Sequence, residues 1–261
     1  KMCAPILVRS SIGDEAWALI TESEVLGSYS ASAMISGDVS EIGKFTYQPQ
    51  SDASVTLPFT SPWRTVYIGN LKDLVVSNLN ENLNKPTDIS DMSWIKAGLS
   101  SWDWGGQDGS QTNDINVVKD YINMAYEMGW PYYTLDEGWA YSSYPLKDVT
   151  DYAKSKGVKV FIWSHSRRFE NDENQIREIL NNWKTLGFAG AKIDFFDGDA
   201  QNVMQKEEMI LRVAADLHMM INFHGCTKPT GLRRTYPNLI TSEAVYGGEQ
   251  YFFNHLATPA N

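Results

Sequence analysis

Cysteine is nearly absent from this chain: among 261 residues only Cys3 and Cys226 carry a thiol. Two thiols that far apart form neither a disulfide framework nor a zinc cluster, and they leave the redox compartment open. Long apolar runs are missing as well. None reaches the roughly 18 residues that a membrane-spanning helix needs, and no signal-peptide core follows the opening Lys-Met-Cys-Ala-Pro. Histidine is scarce, with His165, His218, His224 and His255 in no His-x-His or His-Glu-x-x-His spacing, so zinc hydrolase chemistry has little support. No Gly-x-Ser-x-Gly elbow and no phosphate-binding glycine loop occurs. Positive charge is also short: 22 basic residues against 32 acidic ones give a net charge of −10, which argues against nucleic acid as a partner.

What the chain does have is a 43% hydrophobic content, enough for a substantial core, and many aromatics, including 9 Trp and 13 Tyr. Flat rings with a polar edge suit the weakly apolar faces of sugars. Residues 1–92 read as short β-branched runs separated by Gly, Ser, Asp and Pro: Pro5 to Arg9, Ala16 to Thr21, Ala53 to Leu57 and Thr65 to Gly69. This texture predicts part of a β-sandwich with its linker.

Residues 93–261 change to strands alternating with amphipathic helices. Strands are expected at Ser93 to Gly98, Tyr132 to Leu135, Val158 to Trp163, Ala191 to Phe195, Met219 to Phe223 and Leu239 to Thr241. A first helix follows a cap at Thr112 or Asn113 with Val118, Ile122 and Ala125 on one face, and a later one carries the stripe Val203, Ile210, Val213 and Leu217. Strand and helix in alternation mean a parallel sheet. A doubly wound sheet is the rival, but no Gly-x-Gly-x-x-Gly turn follows any strand. The fold expected is an α/β (β/α)8 TIM-type barrel, incomplete at about six strands.

The barrel also explains where the polar residues lie. Just past successive strands come Asp103 between Trp102 and Trp104, then Asp136-Glu137, His165 after Trp163, Asp194 with Asp197, His224 and Glu243. In such a barrel these ends converge on one face. Paired carboxylates flanked by aromatics are what glycoside hydrolysis needs, one ionised and one holding a proton. Asp194 ends an apolar run and precedes Phe195-Phe196, so it is expected to be buried, with Lys192 two residues back as its partner. An abundance of acidic oxygens suits calcium better than zinc.

Several strings resemble glycoside hydrolase family 97: Ser61-Pro62-Trp63-Arg64-Thr65, Trp94-Ile95-Lys96, Trp102-Asp103-Trp104, Leu135-Asp136-Glu137-Gly138-Trp139, Lys192-Ile193-Asp194-Phe195 and Asn222-Phe223-His224-Gly225. Lys228 through Asn238, followed by Glu243-Ala244-Val245 and Glu249, is the most specific. The resemblance implies a β-sandwich, a catalytic (β/α)8 barrel and a C-terminal β-domain, acting on α-glucosides or α-galactosides with calcium. Inverting members carry Glu directly after the strand-five His and Gly at the position of Asp194. The pair His224-Gly225 with Asp194 is similar to the retaining branch. Asp194 is then implied as nucleophile and Glu249 as acid/base, with Glu243, Glu249 and, as a weaker match, Glu22 at calcium-associated positions. Trp102, Asp103, Trp104, Asp136, Glu137, Trp163, His165, Lys192 and His224 are expected to line the sugar site.

Two departures stand out. The chain starts inside the usual sandwich and ends before strands seven and eight, and Tyr246 occupies a position where many relatives carry Arg. The expected function is a retaining α-galactosidase acting on oligosaccharides or glycosides, periplasmic or secreted by family resemblance. An α-glucosidase, a β-L-arabinopyranosidase and a non-catalytic carbohydrate-binding fragment are the alternatives.

Overall fold

The computed structural model describes residues 4–10, 16–36, 44–104, 112–254 and 256; Cys3 lies outside them. The N-terminal part holds two antiparallel sheets. In the first, β1 (Ile6–Arg9), β2 (Trp17–Ser23) and β5 (Trp63–Gly69) pair in the order β1-β2-β5, with Thr21 opposite Thr65 and Glu22 opposite Arg64. In the second, β3 (Ser32–Ser36) pairs with β4 (Phe45–Pro49). Neither β3 nor β4 was expected from the sequence.

Conversely, the strand expected at Ala53 to Leu57 is irregular. The Gln201 side chain takes its place in the hydrogen bonding: Oε1 accepts from Ser54 N–H at 2.8 Å and Nε2 donates to Ser54 O at 2.9 Å. A single amide thus satisfies the backbone donor and acceptor that a strand partner would otherwise use. Two short helices, α1 (Leu71–Val75) and α2 (Leu79–Asn82), lead toward the second half.

That half is built on six parallel strands in chain order: β6 (Ser100–Trp102), β7 (Tyr132–Leu135), β8 (Lys159–His165), β9 (Gly190–Asp194), β10 (Met220–His224) and β11 (Leu239–Glu243). Helices α3 (Ile115–Glu127), α4 (Leu146–Ser155), α5 (Glu173–Leu186) and α6 (Gln201–Asp216) follow the first four strands in turn. Each is amphipathic and turns its apolar stripe inward: Val118 and Ile122, Val149 and Ala153, Ile176 and Leu180, Ile210 and Leu211 all pack with the sheet residues Ile162, Ala191, Ile193 and Ile221. Strand β8 is buried from Val160 through Ser164, as a strand covered on both faces must be. β10 reaches β11 through a loop with a 3-10 turn at Leu232–Arg234 rather than an α-helix.

The first strand lies later than the sequence pattern suggests. Residues 93–98 are irregular, and β6 begins at Ser100. Instead of pairing, this segment packs under the strand starts: Trp94 contacts the cluster of Tyr132, Phe161 and Met220, and Lys96 O accepts the Tyr132 hydroxyl at 2.6 Å. Gly98 lies so near Pro131 that a Cβ would come within 2.3 Å of its ring. The α3 cap is Asp114, not Thr112 or Asn113. The Thr112 hydroxyl is already engaged with Asp136 O at 3.0 Å, tying the entry of α3 to the end of β7.

The N-terminal sheets dock on the carboxyl-end side of the parallel sheet. Glu24 N–H donates to Thr230 O at 3.0 Å and Ala31 N–H to Asp199 O at 3.0 Å, so loops after β9 and β10 are held from outside.

Candidate active site

Asp194 is the last residue of β9, and the chain turns sharply after it, with Phe195 at φ 61° and Asp197 at φ 58°. Such left-handed backbone is strained for non-glycine residues and concentrates where function over-determines geometry. Asp194 is 4% exposed, and its carboxyl is fully engaged. Oδ1 accepts the Phe195 N–H at 2.8 Å, and Oδ2 accepts Trp163 Nε1–H at 3.1 Å with His224 Nδ1 at 3.1 Å. Burial pushes the Asp194 pKa up, but the hydrogen bond and charge of His224, the Trp163 indole and Lys192 outweigh it, and the net direction is down. The carboxylate is therefore ionised and aimed from a dry wall. For His224, burial lowers the pKa, but hydrogen bonding to Asp194 prevails, so the pair favours its ionic form.

Lys192 bonds first to another carboxylate than the one expected. Its Nζ is 2.9 Å from Asp136 Oδ2 and 3.9 Å from Asp194 Oδ2. Asp136, just past β7, also takes Trp102 Nε1–H at 2.5 Å and the Glu137 N–H at 2.8 Å. Lys192 lies 4.3 Å from the Trp102 ring centre, so one buried cation is shared by two carboxylates and an aromatic face. Trp102, Asp136, Lys192, Asp194, Trp163 and His224 thus form one connected group.

Glu243 ends β11, with Oε2 accepting the Gly225 N–H at 3.1 Å and lying 3.7 Å from His224 Nδ1. Glu249 sits in the 3-10 turn Gly248–Phe252, and its Oε1 accepts Trp104 Nε1–H at 2.7 Å. His165 is next to Asp194 in strand register, its ring 5.2 Å from Phe195. Asp103 is buried behind the wall, where its charge reaches the phenols of Tyr133 and Tyr144. Glu137 is exposed, and its backbone rather than its carboxyl makes the bonds at this corner.

The metal set does not assemble as expected. Glu22 is fully buried, but two cations and a backbone donor surround it: Lys228 Nζ at 2.8 Å, Arg64 at 3.4 Å and Ser32 N–H at 2.8 Å. Among the described residues no group of three or more His, Cys, Asp or Glu side chains is placed to hold a metal ion. Carboxylate oxygen is the right donor type for calcium, but Glu22, Glu243 and Glu249 are not gathered as its shell. Sequence reasoning also missed Lys228 and Arg64, whose partner lies far away in the chain.

Gly225 completes the geometry. Its φ is +53°, and a Cβ there would stand 3.2 Å from Asp194 Oδ1 and 3.3 Å from Phe195 N. Any side chain at this position competes with the Asp194 carboxyl for the same space.

The model of the family described as Glycoside hydrolase 97 matches residues 94–245, and that of Glycosyl-hydrolase 97 N-terminal matches residues 1–86. The chain belongs to glycoside hydrolase family 97. A probable retaining alpha-galactosidase of Streptomyces bingchenggensis is 32% identical over 90% of this chain and 39% of its own length. A retaining alpha-galactosidase of Bacteroides thetaiotaomicron is 35% identical over 76% of this chain and 32% of its own. The chain thus spans well under half the length of these curated relatives. A solved structure of a beta-arabinopyranosidase superimposes with a TM-score of 0.84 at 29% identity, covering 97% of this chain and 43% of that one.

Proposed function

We propose that this chain supplies the catalytic wall of a retaining α-galactosidase. The observation that carries the reading is Asp194: a buried, ionised carboxylate at a barrel-strand end, positioned by Trp163, His224 and its own turn, with Gly225 leaving it room. In this role Asp194 forms a bond to the anomeric carbon as the bond to the leaving oxygen breaks, and Glu249 transfers a proton to that oxygen. Glu249 then takes a proton from water, whose oxygen displaces Asp194 and restores the original anomeric configuration. Trp102, Lys192 and Asp136 supply the aromatic face, cation and acceptor for sugar hydroxyls.

The names of the two curated relatives support the galactoside reading, and that of the solved structure supports β-L-arabinopyranoside as a second substrate. These sugars share their ring configuration and differ in one exocyclic hydroxymethyl group, so the preference turns on whether the pocket hydrogen-bonds its hydroxyl. Calcium dependence belongs to the proposal through Glu243 and Glu249 alone, and no step above depends on it. Location in the periplasm or outside the cell rests on family resemblance.

The test is proton NMR of the first-formed sugar from p-nitrophenyl α-galactoside. The proposal requires α-galactose to appear before mutarotation, and first-formed β-galactose would exclude retention.

A further inference from the structure

The apolar stripe of α6 contains one charged residue. Glu207 falls four residues after Val203 and three before Ile210, and it is 2% exposed. It lines a cleft of about 260 Å³, open to solvent, together with Phe223, Cys226, Thr227, Thr230 and Leu239. The Thr227 backbone N–H faces its carboxyl and favours its charged form, against the larger opposing effect of burial. Its Oε1 has no partner, and neither do the buried hydroxyls of Thr227 and Thr230.

We propose that Glu207 is a positioning residue for the active site: its buried carboxyl buttresses the turn from Gly225 to Thr230, which seats His224 and Gly225 against Asp194. The chain of contacts is short. Thr227 is three residues beyond His224, whose Nδ1 is 3.1 Å from Asp194; Gly225 O accepts the Phe196 N–H at 3.0 Å, and its N–H bonds Glu243. Movement of Thr227 therefore reaches both neighbours of the nucleophile.

The surroundings favour the protonated form. Asp199, ahead of α6, opposes a second negative charge, and the Cys226 thiol beside Glu207 is itself pushed up by burial and by Glu207 and Glu243. The cations lining the cleft are engaged elsewhere: Lys228 with Glu22 and Ser32 O, Arg233 with Glu81. The adjacent Glu208 points instead to Gly27 N–H and Tyr236. Burial, followed by the smaller contribution of Asp199, raises the Glu207 pKa to about 8. Ionisation places an unpaired charge in the core, and displacing the Thr227 turn to admit water relieves it.

Two arms test this. In the first, kcat/KM is followed from pH 6 to 10; this arm rests on the proposed activity. The wild-type value should fall at least tenfold with an apparent pKa near 8. Glu207→Gln keeps an acceptor for Thr227 and cannot ionise, so its descending limb should move up by at least one pH unit while its pH 7 value stays within about threefold. Glu207→Leu, lacking the acceptor, should be slower at every pH. The second arm needs no turnover: protection of the Cys226 to Thr230 amides against hydrogen exchange, taken as the ratio of protection factors of Glu207→Gln to wild type. That ratio should rise at least fivefold between pH 7 and 9. An unchanged limb together with a flat ratio would overturn the proposal. Absence of turnover on every glycoside, with a rising ratio, would count against the activity but uphold the role of Glu207.

Discussion

Lys192 Nζ lies 2.9 Å from Asp136 and 3.9 Å from Asp194, so the site's buried cation is anchored by one carboxylate and lends its field to the other. This asymmetry keeps Lys192 from occupying a lone pair of the attacking group while still favouring its ionised state. Lys192→Met should leave Asp136 uncompensated in a dry wall and lower kcat/KM by at least a hundredfold. It should also move the acid limb of the pH–rate profile upward, because one influence lowering the Asp194 pKa is gone. Steady-state kinetics between pH 3 and 7 would check both effects.

Gly225→Ala should harm catalysis more than stability. The left-handed φ costs an L-residue about 1 kcal/mol, visible as a small drop in Tm. The new methyl lands 3.2 Å from Asp194 Oδ1, tight enough to shift the carboxyl by a fraction of an ångström. A loss of about tenfold to a hundredfold in kcat, with little change in KM, is expected.

Stability should depend on pH through Asp194 and His224 within a definite window. The His224 pKa is raised from 6.5, so its contribution is complete below that value and is lost as pH rises through the folded pKa. The Asp194 pKa is lowered from 3.8, so its contribution is present above 3.8 and is lost as pH falls through the folded value. The stabilisation of wild type over His224→Gln should therefore be greatest between about pH 4 and 6.5. Thermal melts across pH 3 to 9 would measure it.

Much of this was legible in the sequence, for identifiable reasons. The strands β7 to β10 are largely buried runs, and the helices α3 to α6 carry regular apolar stripes, so periodicity located them within a few residues. Strand β6 was misplaced because Trp94, Ile95 and Ala97 look like a strand, but the segment is irregular and its Trp94 packs against Tyr132, Phe161 and Met220. The segment at Ala53 was misread because the side chain that replaces its strand partner, Gln201, lies far along the chain. Likewise Asp194 was recognisable from its apolar run, whereas the cations around Glu22 come from β5 and the β10–β11 loop. Glu207 did leave a signal: an acidic residue within the stripe of Val203 and Ile210.

Lys228→Met should destabilise the fold by about 3 kcal/mol, since Glu22 would lose its nearest cation inside a fully buried site. Adding Glu22→Gln should recover most of that loss in denaturant titrations. The same pair separates structure from metal binding. If Glu22 acts only as an ion-pair partner, calcium titration by calorimetry should be unchanged in the double variant.

The central claim is that Asp194 is the nucleophile, and chemical rescue tests it most directly. Asp194→Gly should be inactive on p-nitrophenyl α-galactoside, and added azide should restore turnover. Without the carboxylate, azide attacks the vacated face, so NMR of the product should show β-galactosyl azide. Turnover near the wild-type rate without azide, or rescue yielding the α-azide, would contradict the account.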